Sequence, residues 1–324
     1  MRENVYEPAR SIPVLDEADV AVVGGGVAGC AAAWAAAAAG AKTVLLERNG
    51  CLGGVAAASL MENIGNMFLT ASGRQIIAGF AGKLVDRLVE AGAASPHWKS
   101  REVPGVVIDS ERLKVVLIEM LQEQGVRIFT HALGARPVME GGQVAGVFAE
   151  SKSGRQAVLA KATVDASGEA DIAWQAGARM KYRAGTASTL FKMANVDLDA
   201  FVDFLAQDPD GFPAGSDFVK DLDTFARNWR ERGILFFPHG GGRNWRHVKG
   251  LVESGALPTQ AGPAFNLHAL GLYALRGTEE IQAMGRSGRA YAAAHFDRDK
   301  LAEQYERVLL DAVGRRKGAA MRGT

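Results

Sequence analysis

VVGGGVAGCAAAWAAAAAG, residues 22–40, runs an apolar strand end into three glycines and then into an almost unbroken alanine run. A core helix has no use for the glycines, and a linker has no use for the alanines. DVAVVGG before it reads as a short buried strand, and KTVLLER after Gly40 reads as another. The alanines read as a helix that Gly40 ends in a left-handed cap. Strand, glycine turn, helix and strand within about thirty residues make a βαβ unit.

The glycines divide the work. Gly24, Gly26 and Gly29 fit G-x-G-x-x-G. The first turns the chain off the strand. The second, with Val27 and Ala28 beside it, brings backbone N–H groups to a pyrophosphate. The third lets helix and sheet approach, helped by the small Ala33. The positive end of the helix then faces the phosphates. Glu47 closes the second strand 23 residues after Gly24, close to the offset of about twenty expected for a ribose-binding acid. Its charge repels a 2′-phosphate, and Arg48 is expected as a solvated neighbour lying along the adenine.

The βαβ unit does not choose between NAD and FAD, but later residues do. RNGCLGG carries the pair Gly53-Gly54, and ATVDASGEADIAWQAGA from Ala162 reads as a strand, a tight turn and a short helix with Asp171 at its start. Together with the opening motif, these stretches resemble the FAD-dependent oxidoreductases of the glutathione-reductase superfamily, and most nearly its heterodisulfide-reductase-like subgroup. The resemblance runs over roughly residues 18 to 275. It implies FAD, with Asp165, Ser167 and Gly168 near the adenosine and pyrophosphate. It also places the backbone around Leu133 and Gly134, in GVRIFTHALGARP, against the adenine. GTASTLFKMANVDLDAF and RGILFFPHGGGRN resemble segments of that family's substrate domain.

The expected architecture is α/β: a discontinuous Rossmann-like FAD-binding domain with a β meander over 1–185, and a smaller α+β substrate or cap domain over 186–275. A C-terminal helical segment follows over 276–324. RQIIAGFAGKLVDRLVEAGA is expected as one helix, SERLKVVLIEMLQEQGVRIF as a helix and a strand. The family's usual closing segment, with a glycine and an acid against the ribityl chain, is not legible after residue 275. The stretch from Ala283 locally resembles the final helix of many sugar-nucleotide-dependent glycosyltransferases. It reads as an amphipathic helix with Leu301, Tyr305, Val308, Leu309 and Val313 on one face.

Composition limits the alternatives. A net charge of +1 over 324 residues gives no reason to expect nucleic acid or an anionic membrane as partner. No secretory signal or membrane span is legible, so a cytoplasmic protein is expected. Two cysteines, Cys30 and Cys51, cannot ligate an iron–sulfur cluster or a four-cysteine zinc site. His239, Arg243, Arg246 and His247 flank Gly240–Gly242 in a loop that reads first as cations in water and second as an anion-binding or flavin-facing loop, and His268 reads as a core histidine. No catalytic residue stands out. The function expected is oxidation of a small molecule by hydride transfer to flavin. The alternatives are a shortened, non-catalytic FAD- or ADP-binding protein, and a subunit that needs a partner to complete its flavin site; beside the small-molecule substrate, the partners expected are a partner subunit or further copies in a homo-oligomer.

Overall fold

The computed structural model describes residues 7–65, 68–70, 72–100, 105–182, 190, 192, 196–209, 221–237, 250, 253–254 and 272–275. The glycine cluster at 240–242 with its flanking cations, His268 and the segment 276–324 with its amphipathic helix lie outside these residues.

Strand β1 (Val14–Val23) leads into helix α1 (Val27–Ala38) and strand β2 (Thr43–Leu46). Gly40, at φ 89°, reverses the chain between α1 and β2. Then come β3 (Asn63–Gly65), α2 (Phe80–Glu90), β4 (Gly105–Val107), α3 (Ser110–Glu123) and β5 (Arg127–Phe129). A meander of β6 (Leu133–Glu140), β7 (Gln143–Ser151) and β8 (Gly154–Asp165) follows, and then the short helix α4 (Asp171–Gln175). Six strands form one sheet in the order β5-β2-β1-β8-β7-β6. The first four run parallel, and the β7 and β6 pairings are antiparallel. The architecture is the α/β, Rossmann-like one expected, with its meander.

Each sheet face buries its own core. Helices α1, α2 and α3 cover one face, where Val22, Leu45, Leu84, Leu88, Leu117 and Leu121 meet. Helix α2 presents Phe80, Leu84, Val85 and Leu88 to that core, one stripe of a 3.6-residue repeat. Asp109 caps α3 by accepting from the N–H groups of Glu111 and Arg112. On the other face Ala21, Val23, Val44 and Leu46 pack with Val147, Val158 and Ile172. A Cβ on Gly134 would overlap Val23 Cγ1, although β6 is three ladders from β1. The sheet therefore curls, and the start of β6 lies over the end of β1.

A second, smaller α+β core gathers α5 (Leu198–Ala206), α6 (Leu222–Arg232) and β9 (Ile234–Phe237), which pairs antiparallel with β10 (Leu272–Leu275). Val202, Leu205, Phe225, Trp229 and Leu235 pack there with Val107 of β4. The helix expected from Arg74 starts only at Phe80. Gly79, at φ 64° and ψ −133°, is not helical, and Ile76 N–H donates to Phe68 O, so the preceding turn folds back instead.

Lys192 staples a residue beyond the expected cofactor domain to the start of α3. Its Nζ donates to Glu62 Oε1 at 2.8 Å and to Ser110 Oγ at 2.9 Å, while Ser110 N–H donates to the same Glu62 oxygen. Burial pushes the Glu62 carboxyl up, but the bonds from Lys192 and Ser110 outweigh it and hold the group below its ordinary value. A depressed carboxyl stabilises the fold above its unfolded pKa, and that contribution fades as pH falls through the folded value. Lys192→Ala is expected to cost about 1 kcal/mol near neutral pH, discounted for a lysine that is almost half exposed. The difference from wild type should shrink in acid. Urea unfolding at neutral and acidic pH measures both.

Candidate functional site

The carboxyl ends of β1, β2 and β8 open into one cavity of about 450 Å³. In the sheet order β1 has β2 on one side, reached by the crossover through α1, and β8 on the other, which enters from the meander. This is the switch point where open α/β sheets hold ligands.

The floor is the glycine turn. Gly24 leaves β1 at φ 97°. A Cβ on Gly24 would overlap Ala166 O, and one on Gly29 would overlap Gly24 O, so these two positions let strand, turn and helix touch. Gly26 differs. The nearest atom to its missing Cβ is Gly54 Cα at 4.0 Å, and Gly26 lines the cavity, so a side chain there would fill the cradle. Gly26 is also the N-cap of α1, with no side-chain cap and no acid in the first turn. The free N–H groups and positive end of α1 are thus left for an anion.

Glu47 is 4% exposed and lines the cavity. Its Oε2 accepts from Gly25 N–H at 2.6 Å and its Oε1 from Asn49 N–H at 2.7 Å. Each carboxylate oxygen accepts more than one donor, which leaves capacity toward the cavity. Arg48 lines the cavity beside it, as does Gly54. Gly53 sits behind: its N–H donates to Gly25 O at 2.8 Å, and it bridges Gly26. Cys30 Sγ donates to the same Gly25 oxygen at 3.3 Å. Burial pushes that thiol up to about 12.

The opposite wall comes from β6 and β8. Leu133, Gly134, Ser167, Gly168 and Asp171 all line the cavity. Asp165 does not. Its Oδ1 accepts from Ser167 N–H and Oγ, and its Oδ2 from Ile172 and Ala173 N–H. Burial raises this carboxyl, and those four bonds more than reverse the shift. Asp165 therefore builds the turn and caps α4 rather than facing the cavity. Gly29, Val27 and Ala28 also lie outside the lining.

Sequence reasoning missed several contributors. Gly25, the free position of G-x-G-x-x-G, has no room for a Cβ between Leu52 and Glu47. Val55, Ala58 and Ser59 extend the wall past Gly54, and Glu169 lies between Gly168 and Asp171. Among the described residues, three that are not glycine have positive φ: Leu60 (59°), His131 (53°) and Ala170 (58°). Each adjoins a lining residue: Ser59, Ala132, and Glu169 with Asp171. Backbone of this kind costs about 1 kcal/mol or more per residue and gathers at functional sites.

The residues fit FAD. The open cradle at Gly26, the uncapped helix start and the buried acid at the ribose offset supply what a pyrophosphate and a sugar need. The family described as FAD-dependent oxidoreductase matches residues 19–309, and the chain belongs to it. FAD is accordingly its cofactor.

Among relatives, the chain is 29% identical over 204 residues to digeranylgeranylglycerophospholipid reductase 2 of Methanopyrus kandleri, a match covering 61% of this chain and 50% of that protein. It is 30% identical over 152 residues to reductase 1 of the same organism, covering 47% and 40%. The chain thus spans no more than half the length of either relative. A geranylgeranyl bacteriochlorophyll reductase-like protein of Thermoplasma acidophilum superimposes with a TM-score of 0.36 at 23% identity, over 50% of this chain and 42% of that one.

Three variants test the site. Gly26→Val should keep the wild-type melting temperature within a few degrees yet lose FAD, because its side chain enters the cradle. Gly29→Ala should cost about 3 kcal/mol or more, because strand and helix must part. Thermal unfolding with flavin titration separates the two. Ala170→Gly should stabilise the protein by about 0.5–1 kcal/mol, the relieved left-handed strain less the extra chain entropy of glycine. Its urea midpoint should rise.

Proposed function

We propose that this protein is an FAD-dependent oxidoreductase that moves a hydride between a small-molecule substrate and the flavin. The observation that carries the reading is the cavity at the ends of β1, β2 and β8, where an uncapped helix start and a buried acid face the same space. At its floor, the turn that opens at Gly24 takes the pyrophosphate on the backbone N–H groups of Gly26, Val27 and Ala28, while the N–H of Gly24 itself donates to Leu46 O. Gly29 holds helix to strand. Glu47 accepts the ribose hydroxyls with its remaining lone pairs, and Arg48 lies along the adenine. Backbone at Leu133 and Gly134 meets the adenine edge. Gly53-Gly54, Ser167, Gly168 and Asp171 shape the walls, and Asp165 holds the last of these in place.

Flavin, once bound, supplies two-electron acceptance and release. The chain binds it, orients it and keeps its ribose end dry. We assign 1–185 to the cofactor domain, 186–275 to the substrate or cap domain and 276–324 to a helical segment, within the heterodisulfide-reductase-like subgroup of the glutathione-reductase superfamily. We place the protein in the cytoplasm, acting alone or completed by a partner or a second copy. Among the described residues no helix is long and apolar enough to cross a membrane.

The relatives named above are reductases, which favours a second reading of direction: hydride passing from reduced flavin to an unsaturated lipid. The test is the visible spectrum of the purified protein, followed by anaerobic reduction and reoxidation with candidate substrates. Flavin bands that bleach with a saturated small molecule support the first direction. Bands that return when reduced protein meets an isoprenoid olefin support the second. A colourless protein that takes up no FAD on titration removes both.

A further inference from the structure

The charges on the cavity wall do not favour an anion. Among the described residues, Glu47, Glu169 and Asp171 line it with Arg48 as the one cation. Glu47 is engaged by Gly25 and Asn49 N–H. The other two carboxylates, both on exposed residues, take no hydrogen bond or ion pair from the described residues; only the backbone N–H of Asp171 is engaged, by Ser167 Oγ. Ala170 between them holds the left-handed conformation, φ 58° and ψ 42°, and both of its neighbours line the cavity. Backbone strain is thus accepted at the residue that sets two acids on the wall of a site whose ligand carries a pyrophosphate.

We propose that Glu169 and Asp171 are specificity-determining residues that filter ligands by charge. The cavity admits adenine nucleotides whose pyrophosphate is capped by a sugar or polyol and rejects those that end in phosphate. The proposal rests on the reading of the cavity as the FAD site and adds to it what the site excludes. Hydroxyls donate to free carboxylates, whereas a terminal phosphate meets two like charges. Like charges about 8 Å apart at an effective dielectric near 20 weaken binding by about tenfold or more, even after partial screening. The pyrophosphate itself is held elsewhere, on the N–H groups of α1. The short helix α4 gains from an acid at Asp171, but that accounts for neither Glu169 nor the position of both acids on the cavity wall.

The test is calorimetric titration of the full chain with FAD, ADP-ribose and ATP, without divalent metal, at low and high salt. Wild type should bind ADP-ribose at least about tenfold more tightly than ATP, and salt should narrow the gap. In Glu169→Gln/Asp171→Asn the ratio should fall to about threefold or less, chiefly because ATP binds better. Glu169→Gln alone lies outside the helix and should show about half the effect, which guards against a double variant that fails to fold. Equal affinities in wild type, or an unchanged ratio in folded variants, overturn the proposal while FAD binding leaves the cofactor reading standing. Failure of wild type to bind FAD and ADP-ribose overturns the cofactor reading and the filter with it.

Discussion

The walls of the cavity hang on one buried residue, Glu47. Its N–H donates to Phe129 O, its carbonyl accepts from Ala132 N–H, and its two carboxylate oxygens accept from Gly25 and Asn49 N–H. These four bonds join the glycine turn, the loop after β2 and the chain between β5 and β6. A carboxylate is suited to this because it accepts several bonds at once and holds backbone N–H groups more strongly than a neutral acceptor does. Its burial raises the stakes, since any donor it released inside the protein would be left without a partner. Under the proposed function, ligand recognition and wall construction fall to the same side chain.

Asp165 plays the matching part at the end of β8 without facing the cavity. It gathers the 167–173 turn around a carboxylate, as Glu47 gathers its three segments. The parallel strands bring the two acids to the same end of the sheet, on either side of β1. The sheet supplies the spacing and the acids supply loop geometry, so the cavity keeps its shape on walls that are mostly irregular backbone.

The βαβ unit was legible because its signals are local: apolar strands, glycines at fixed offsets and an acid at the next strand end. The meander was legible from alternation at 143–165. What escaped reading depends on contacts far apart in sequence. Asp165 was placed by resemblance beside the cofactor, yet its partners at Ser167, Ile172 and Ala173 give it a turn-building role that spacing does not announce. Gly25 looked like a free position because the motif ignores it, while Leu52 and Glu47 leave it no room. The helix at Arg74–Gly79 was over-read because its apolar residues keep helical spacing up to a glycine whose backbone is not helical. Leu60, His131 and Ala170 gave no signal, since left-handed backbone at non-glycine residues is imposed by surroundings rather than by residue type.

Cys30 lies directly beneath the cradle, fully buried, with its hydrogen on Gly25 O. A thiol held to about 12 is protonated at any physiological pH, and a protonated, buried sulfur is inert to alkylation. It becomes reactive only when Gly25 and Gly53 part and water enters. The partly buried Cys51, three residues before Gly54, is the more accessible of the two. The two sulfurs thus form a built-in chemical clock: the slow alkylation rate at Cys30, set against the faster one at Cys51, reads out how often the floor of the cradle breathes open.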